Sequence, residues 1–134
     1  MKDIIIDDFQ NSVDECLLRH RSILDILTKL QESESRINRA VAKSVTSCGC
    51  IEINAASKSI SIDKYENQKE CYNKGSDTHL YGKLCPNCRE IIEQEIGNNL
   101  FYLASLCNLL DLNLYDIFLK EEDRINTLGK FTLR

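Results

Sequence analysis

The chain has 134 residues, 43% of them hydrophobic and 28% charged, with a net charge of -4 and a pI near 5.2. That is the make-up of one soluble domain with a modest core; it gives no global basic footprint for nucleic acid, and no apolar run approaches the roughly 20 residues of a membrane span. The expected setting is cytoplasmic, where seven cysteines, an odd number, point to metal binding or redox chemistry rather than to a disulfide framework.

Residues 1–10 carry mixed charge around Ile4, Ile5 and Ile6 and are expected to form a short arm or strand. Ser12 with Glu15 is a capping-box pair, and the spacing of Val13, Leu17, Leu24, Leu27 and Leu30 predicts an amphipathic helix from there to about residue 44. No glycine or proline interrupts it, and residues 33–35 are its candidate break. His20 lies on the apolar face and reads as a packed, hydrogen-bonded histidine rather than a ligand.

Beyond residue 46 the period changes. Cys50-Ile51-Glu52-Ile53 alternates, as does Ile60-Ser61-Ile62, which predicts a small β-hairpin starting at the first cysteine pair, with a turn over residues 54–58. Residues 63–82 are polar, with a loop signal at 73–77. The helical period returns after Cys85: Pro86 suits a first turn, where its missing N–H costs nothing, and Ile92, Ile96, Leu100, Leu103 and Leu106 form one face. Gly97, Ala104 and Ser105 are small enough for another helix to approach, from the same chain or a second copy. Asn113 with Asp116 predicts a fresh N-cap, and Leu114, Ile117, Phe118, Ile125 and Leu128 mark a last helix ending near Gly129.

The chemistry concentrates in Cys48-Gly49-Cys50 and Cys85-Pro86-Asn87-Cys88. Two tight turns can aim four sulfurs at one point, which is what a tetrahedral zinc ion requires, and Gly49 eases the sharp bend of the tighter pair. The favoured assignment is one structural zinc held by Cys48, Cys50, Cys85 and Cys88. A hairpin after the first pair and a helix at the second resemble the treble-clef or zinc-ribbon class over residues 48–96. An iron–sulfur cluster, with Cys71 as a fourth ligand or a spare, and a thiol redox switch at Cys85 and Cys88 are the alternatives. His79 is a further possible ligand. Cys16 and Cys107 fall on helix faces and read as buried small apolar residues. Four thiolates leave no open position on the metal, so such a site clamps the fold rather than activating water.

A family resemblance rests on Glu93-Gln94-Glu95-Ile96-Gly97-Asn98-Asn99-Leu100-Phe101-Tyr102-Leu103 and on Leu112-Asn113-Leu114-Tyr115-Asp116-Ile117. These resemble the second acidic helix and following turn of MazG-like nucleotide pyrophosphohydrolases. Residues 29–40 are similar to the first acidic helix, so the likeness covers residues 17–46 and 89–126. It implies a helical bundle, a homodimer that buries its helices across subunits, and carboxylates on two helices that hold magnesium against a nucleotide triphosphate. Hard Mg²⁺ needs charged oxygens three or four residues apart on one face. Here Glu32 and Glu95 match, but Ser33, Arg36 and Asn98 stand where the family has acids; Glu34, Glu90 and Glu93 could join only in a shifted register.

The resulting expectation is a mainly α single domain over residues 1–134: a MazG-like helical bundle with a small β-hairpin zinc-binding insertion at 46–90. It is expected to be a non-catalytic, zinc-stabilised binding or regulatory protein and a homodimer, with the groove between helices as a nucleotide or small-molecule site. A metal-dependent nucleoside triphosphate pyrophosphohydrolase is the main alternative, and an iron–sulfur or thiol redox sensor the next.

Overall fold

The three isoleucines at the N-terminus open a helix rather than an arm or strand. The computed structural model describes residues 4–17, 21–55 and 78–129, and α1 runs Ile4–Cys16. Ile6 is half-buried, and Gln10, Val13 and Leu17 are buried, at four- and three-residue spacing. That periodic burial outweighs the β preference of the isoleucines, of which Ile4 and Ile5 are exposed. Ser12 and Glu15 therefore sit inside a helix and cap nothing.

The long helix predicted over 12–44 is two helices. The second, α2, spans Ile23–Lys43. It starts on Ser22, whose hydroxyl accepts from the Leu24 N–H at 3.3 Å and whose carbonyl accepts from the Ile26 N–H at 2.9 Å. Residues 33–35 lie within α2 and do not break it. His20 is outside the described residues.

Next comes a single π-helical turn, Ser44–Cys48, closed by the Gly49 N–H on the Ser44 carbonyl at 2.9 Å. Strand β1 (Ile51–Ile53) pairs antiparallel with β2 (Leu80–Gly82), in the register Ile51 to Gly82, Glu52 to Tyr81 and Ile53 to Leu80. A short strand near the cysteines was thus legible, but its partner among the described residues is Leu80–Gly82. Residues 60–62, the partner expected from alternation, lie outside them. Helix α3 is Pro86–Leu109, with Pro86 in its first position, and α4 is Leu114–Leu128. Asn113 caps α4 by accepting from the Asp116 N–H at 2.9 Å, and Gly129 ends it at φ +53°.

The chain divides into two compact units, Met1–Ile37 with Glu93–Arg134, and Asn38–Ile92. The core of the first contains Val13, Leu17, Ile26, Ala104 and Cys107. Its polar latch is the buried Gln10, whose amide nitrogen donates to Asn108 Oδ1 at 2.9 Å and to the Leu112 carbonyl at 2.7 Å. The Gln10 oxygen accepts from the Leu114 N–H at 2.8 Å, so one side chain ties α1 to the turn between α3 and α4. Ile96, Leu100 and Leu103, expected in the core, are exposed, while Ala104 and Ser105 of α3 are fully buried. Among the described residues of the second unit, the buried apolar ones are Ile51, Cys88 and Ile92.

Candidate metal centre

The π-helical turn delivers Cys48 at its last residue, and the chain must then reverse within one residue to present Cys50. Gly49 does this at φ +77°, a left-handed conformation that a side chain disfavours. Ser44 is the base of the knuckle: it is buried, its hydroxyl donates to the Ala40 carbonyl at 3.0 Å, and its own carbonyl also faces Cys50 Sγ at 3.8 Å.

The β1–β2 ribbon brings the second cysteine pair to the first. At its end Gly82 adopts φ +87°, and a Cβ there would stand 2.7 Å from the Cys50 carbonyl oxygen. The two strands close on each other only because residue 82 has no side chain. Three residues later Cys85 precedes α3, and the Cys88 N–H in the first turn donates to Cys85 Sγ at 3.4 Å.

All four sulfurs, of Cys48, Cys50, Cys85 and Cys88, lie within 4.8 Å of one another, and Cys48 and Cys85 are 3.8 Å apart. A tetrahedron of sulfurs about 2.3 Å from one ion has edges of about 3.8 Å. The four-cysteine group can therefore hold a metal ion. Burial rises across the group, from exposed Cys48 through half-buried Cys50 and Cys85 to buried Cys88.

The thiols perturb one another. The Cys88 N–H, then the Cys88 thiol, draws Cys85 down to about 7. At Cys88 the Ser44 hydroxyl favours the thiolate, but the neighbouring Cys85 and burial outweigh it and push Cys88 up to about 12. Cys48 is also raised: Cys88 and the Cys50 N–H pull it down, while the side chains of Cys85 and Cys50 push it up. Four negative charges around one point are costly without a cation, and a cation at the centre favours all four thiolates.

The remaining cysteines divide. Cys107 is buried as expected, and burial raises its pKa; Cys16 is exposed, contrary to expectation. Cys71 lies outside the described residues. His79 stands at φ +60° just before β2, its carbonyl accepting from the Asn54 N–H at 2.9 Å, and it is not in the metal-ligating group.

The acidic positions on α2 and α3 are arranged differently from a magnesium site. Glu32 spends Oε1 on the Arg36 guanidinium, at 2.9 and 3.1 Å, and Oε2 on Lys29 Nζ at 3.1 Å. Arg36 first, then Lys29, holds the Glu32 carboxyl below its ordinary range, and Arg36 in turn is raised by Glu32 and by the charge of Glu95. Buried Ser33 accepts from Asn99 Nδ2 at 3.0 Å, so Asn99, not the exposed Asn98, faces α2. Glu95 Oε2 is buried with no hydrogen-bond partner among the described residues. Glu34, Glu90 and Glu93 are exposed, and among the described residues no set of three carboxylates gathers around Glu32 or Glu95.

A polar cleft of about 380 Å³ lies beside the Gln10 latch, lined in part by Asp7, Asn108, Asp111 and Asn113. Its amides bond one another and Asp7, the Asn113 amide donating to Asp7 Oδ1 at 3.1 Å. Two residues that shape the metal centre carried no obvious sequence signal: Ser44, read only as the end of a helix, and Gly82, read as the end of a polar loop. No family model matches the chain, and neither a curated protein nor a solved structure matches it. No helix among the described residues is long and apolar enough to cross a membrane.

Proposed function

We propose that Cys48, Cys50, Cys85 and Cys88 hold one structural zinc ion, and that the protein is a non-catalytic, zinc-stabilised binding or regulatory protein. The observation that carries this is the convergence of four sulfurs within 4.8 Å, with a Cys48–Cys85 separation of 3.8 Å. Several metals accept four thiolates, but zinc has no geometric preference beyond the tetrahedron and no redox cycle, which suits a clamp. A cluster with bridging sulfides spreads its thiolates over several irons, farther apart than one ion does, so the compact sulfur set favours zinc over iron–sulfur. The ion would join the turn after α2 to the first turn of α3 and so pin the inserted segment, residues 46–90, at both ends. Purified protein should contain one zinc per chain and little iron. Removal of the metal by a chelator should melt the β1–β2 ribbon, because binding energy at such a site is folding energy. Iron with acid-labile sulfide would overturn the assignment.

A second reading keeps the enzyme implied by the MazG-like resemblance, a magnesium-dependent nucleoside triphosphate pyrophosphohydrolase. One observation favours it: the orphaned Glu95 Oε2 is a buried carboxylate oxygen awaiting a partner. Against it, Glu32 is already engaged by two cations and Arg36 stands where a divalent ion would need an acid. Magnesium-dependent pyrophosphate release from a panel of nucleotides, lost in Glu95→Ala, would establish the enzyme. Its absence, with a nucleotide still bound, would leave a binding protein.

A further inference from the structure

We propose that Cys48 is the nucleophile of the four-cysteine centre, placed to take an alkyl group from a soft electrophile whose carbon carries a good leaving group. Its chemistry rests on the zinc ion proposed above. Among the four ligands Cys48 alone is exposed; Cys50 and Cys85 are half-buried and Cys88 is buried. Cys48 ends the π-helical turn, so no further turn covers it, and the backbone beyond it is open: a Cβ on Gly49 would meet nothing within 4 Å. Substitution at carbon sets the sulfur on one side of that carbon and the leaving group in line on the other, so the attacking sulfur must have free space in front of it.

Hydrogen bonds do not choose between Cys48 and Cys85, since Cys48 accepts from the Cys50 N–H and Cys85 from the Cys88 N–H. Access does. The inner two are further screened by Ser44, whose carbonyl faces Cys50 Sγ at 3.8 Å and whose hydroxyl bonds Cys88.

The thiolate is the attacking form, and a free thiol is only a few per cent ionised at neutral pH. Coordination keeps Cys48 deprotonated there. Four thiolates around a doubly charged ion also leave negative charge in excess, so the sulfurs stay electron-rich. In the step, an electron pair of Cys48 Sγ forms a bond to the electrophilic carbon. The bond from that carbon to its leaving group breaks, and the leaving group departs into solvent as an anion with the bonding pair. No proton is released, because the sulfur carries none. The product is a neutral thioether, which has lost the charge that tied it to the ion. The first cysteine pair then grips the metal through Cys50 alone, and the joint between the turn after α2 and the first turn of α3 loosens. The clamp thereby answers to alkylation.

The test treats the full zinc-loaded chain at neutral pH with less than one equivalent of iodoacetamide. Peptide mass spectrometry counts the label at each cysteine, and zinc is measured in the same sample. Cys16, exposed but outside the metal-ligating group, is the reference thiol. Cys48 should react about 10-fold faster than Cys16, Cys50, Cys85 or Cys88, the ion offsetting part of a ~30-fold advantage in thiolate content. Zinc release to a chromogenic chelator should rise in step with the label on Cys48, and the preference for Cys48 should vanish once zinc is stripped beforehand. A chain that carries no zinc brings down the zinc assignment and this proposal with it. Zinc-loaded protein that labels Cys16 first, labels the four ligands at like rates, or holds zinc as tightly after Cys48 is labelled overturns the proposal and leaves the zinc assignment standing. A preference for Cys48 that survives removal of zinc overturns it equally.

Discussion

Two glycines flank the metal centre, and replacing each with alanine separates backbone strain from steric collision. Gly49 sits at φ +77° with open space where a Cβ would stand; Gly82 sits at φ +87° with the Cys50 carbonyl oxygen 2.7 Å from that point. A left-handed conformation costs a residue with a side chain about 1–2 kcal/mol, and that is all Gly49→Ala should lose. Gly82→Ala adds a backbone collision of more than half an ångström, which resembles overpacking and costs a further ~1–3 kcal/mol, for about 2–5 kcal/mol in all. At roughly 3–5 °C per kcal/mol for a chain of this size, the melting temperature should fall by about 3–10 °C for Gly49→Ala and about 6–25 °C for Gly82→Ala. Because the collision displaces the backbone of Cys50 itself, Gly82→Ala should also weaken metal binding by about 5–100-fold beyond any effect of Gly49→Ala. Thermal melts of the metal-loaded proteins and competition with a chromogenic chelator measure both quantities. Equal losses in the two variants, or unchanged metal affinity in Gly82→Ala, would refute the claim that β2 positions Cys50.

Replacing Cys85 or Cys88 with serine should abolish stoichiometric zinc and the cooperative unfolding of the second unit, since structural zinc supplies on the order of 10 kcal/mol in small modules; near-wild-type melting would mean a peripheral site. Gln10→Ala strips hydrogen bonds from the Leu112 carbonyl and Leu114 N–H and should cost about 2–4 kcal/mol in chemical denaturation, while zinc content stays at one per chain. Arg36 and Lys29 depress the Glu32 carboxyl, so NMR titration should find its midpoint below the ordinary 4.5, moving up in Arg36→Ala. The stability this group contributes is present above its unfolded value and is lost as pH falls through the lower folded one. A Glu32 midpoint above 4.5 would instead place it against other carboxylates, as in a metal-binding cluster.

The gathering of the four cysteines was legible because its signal is local. Two cysteine pairs, a glycine between the first and a proline within the second, specify tight turns whatever surrounds them. The starts of α3 and α4 were equally readable, since Pro86 and Asn113 act within one turn. The misreadings came where tertiary contacts decide. Gln10 looks like a solvent-facing residue until its amide meets Asn108 and Leu112, 98 and 102 residues away. Gly82 has no signal of its own, because its role is set by the carbonyl it approaches across the ribbon. Ile96, Leu100 and Leu103 carry a core-like period but are exposed in the single chain, and periodicity cannot tell a core from an interface. On the acidic helices, position matching put Asn98 opposite α2, whereas the helix phase puts Asn99 there, bonded to Ser33.

X-ray absorption at the zinc edge on protein purified without added metal tests the central claim most directly. The account predicts one zinc per chain with four sulfur neighbours at about 2.3 Å and no nitrogen or oxygen in the first shell. A shell with two or fewer sulfurs, or iron in place of zinc, would contradict it.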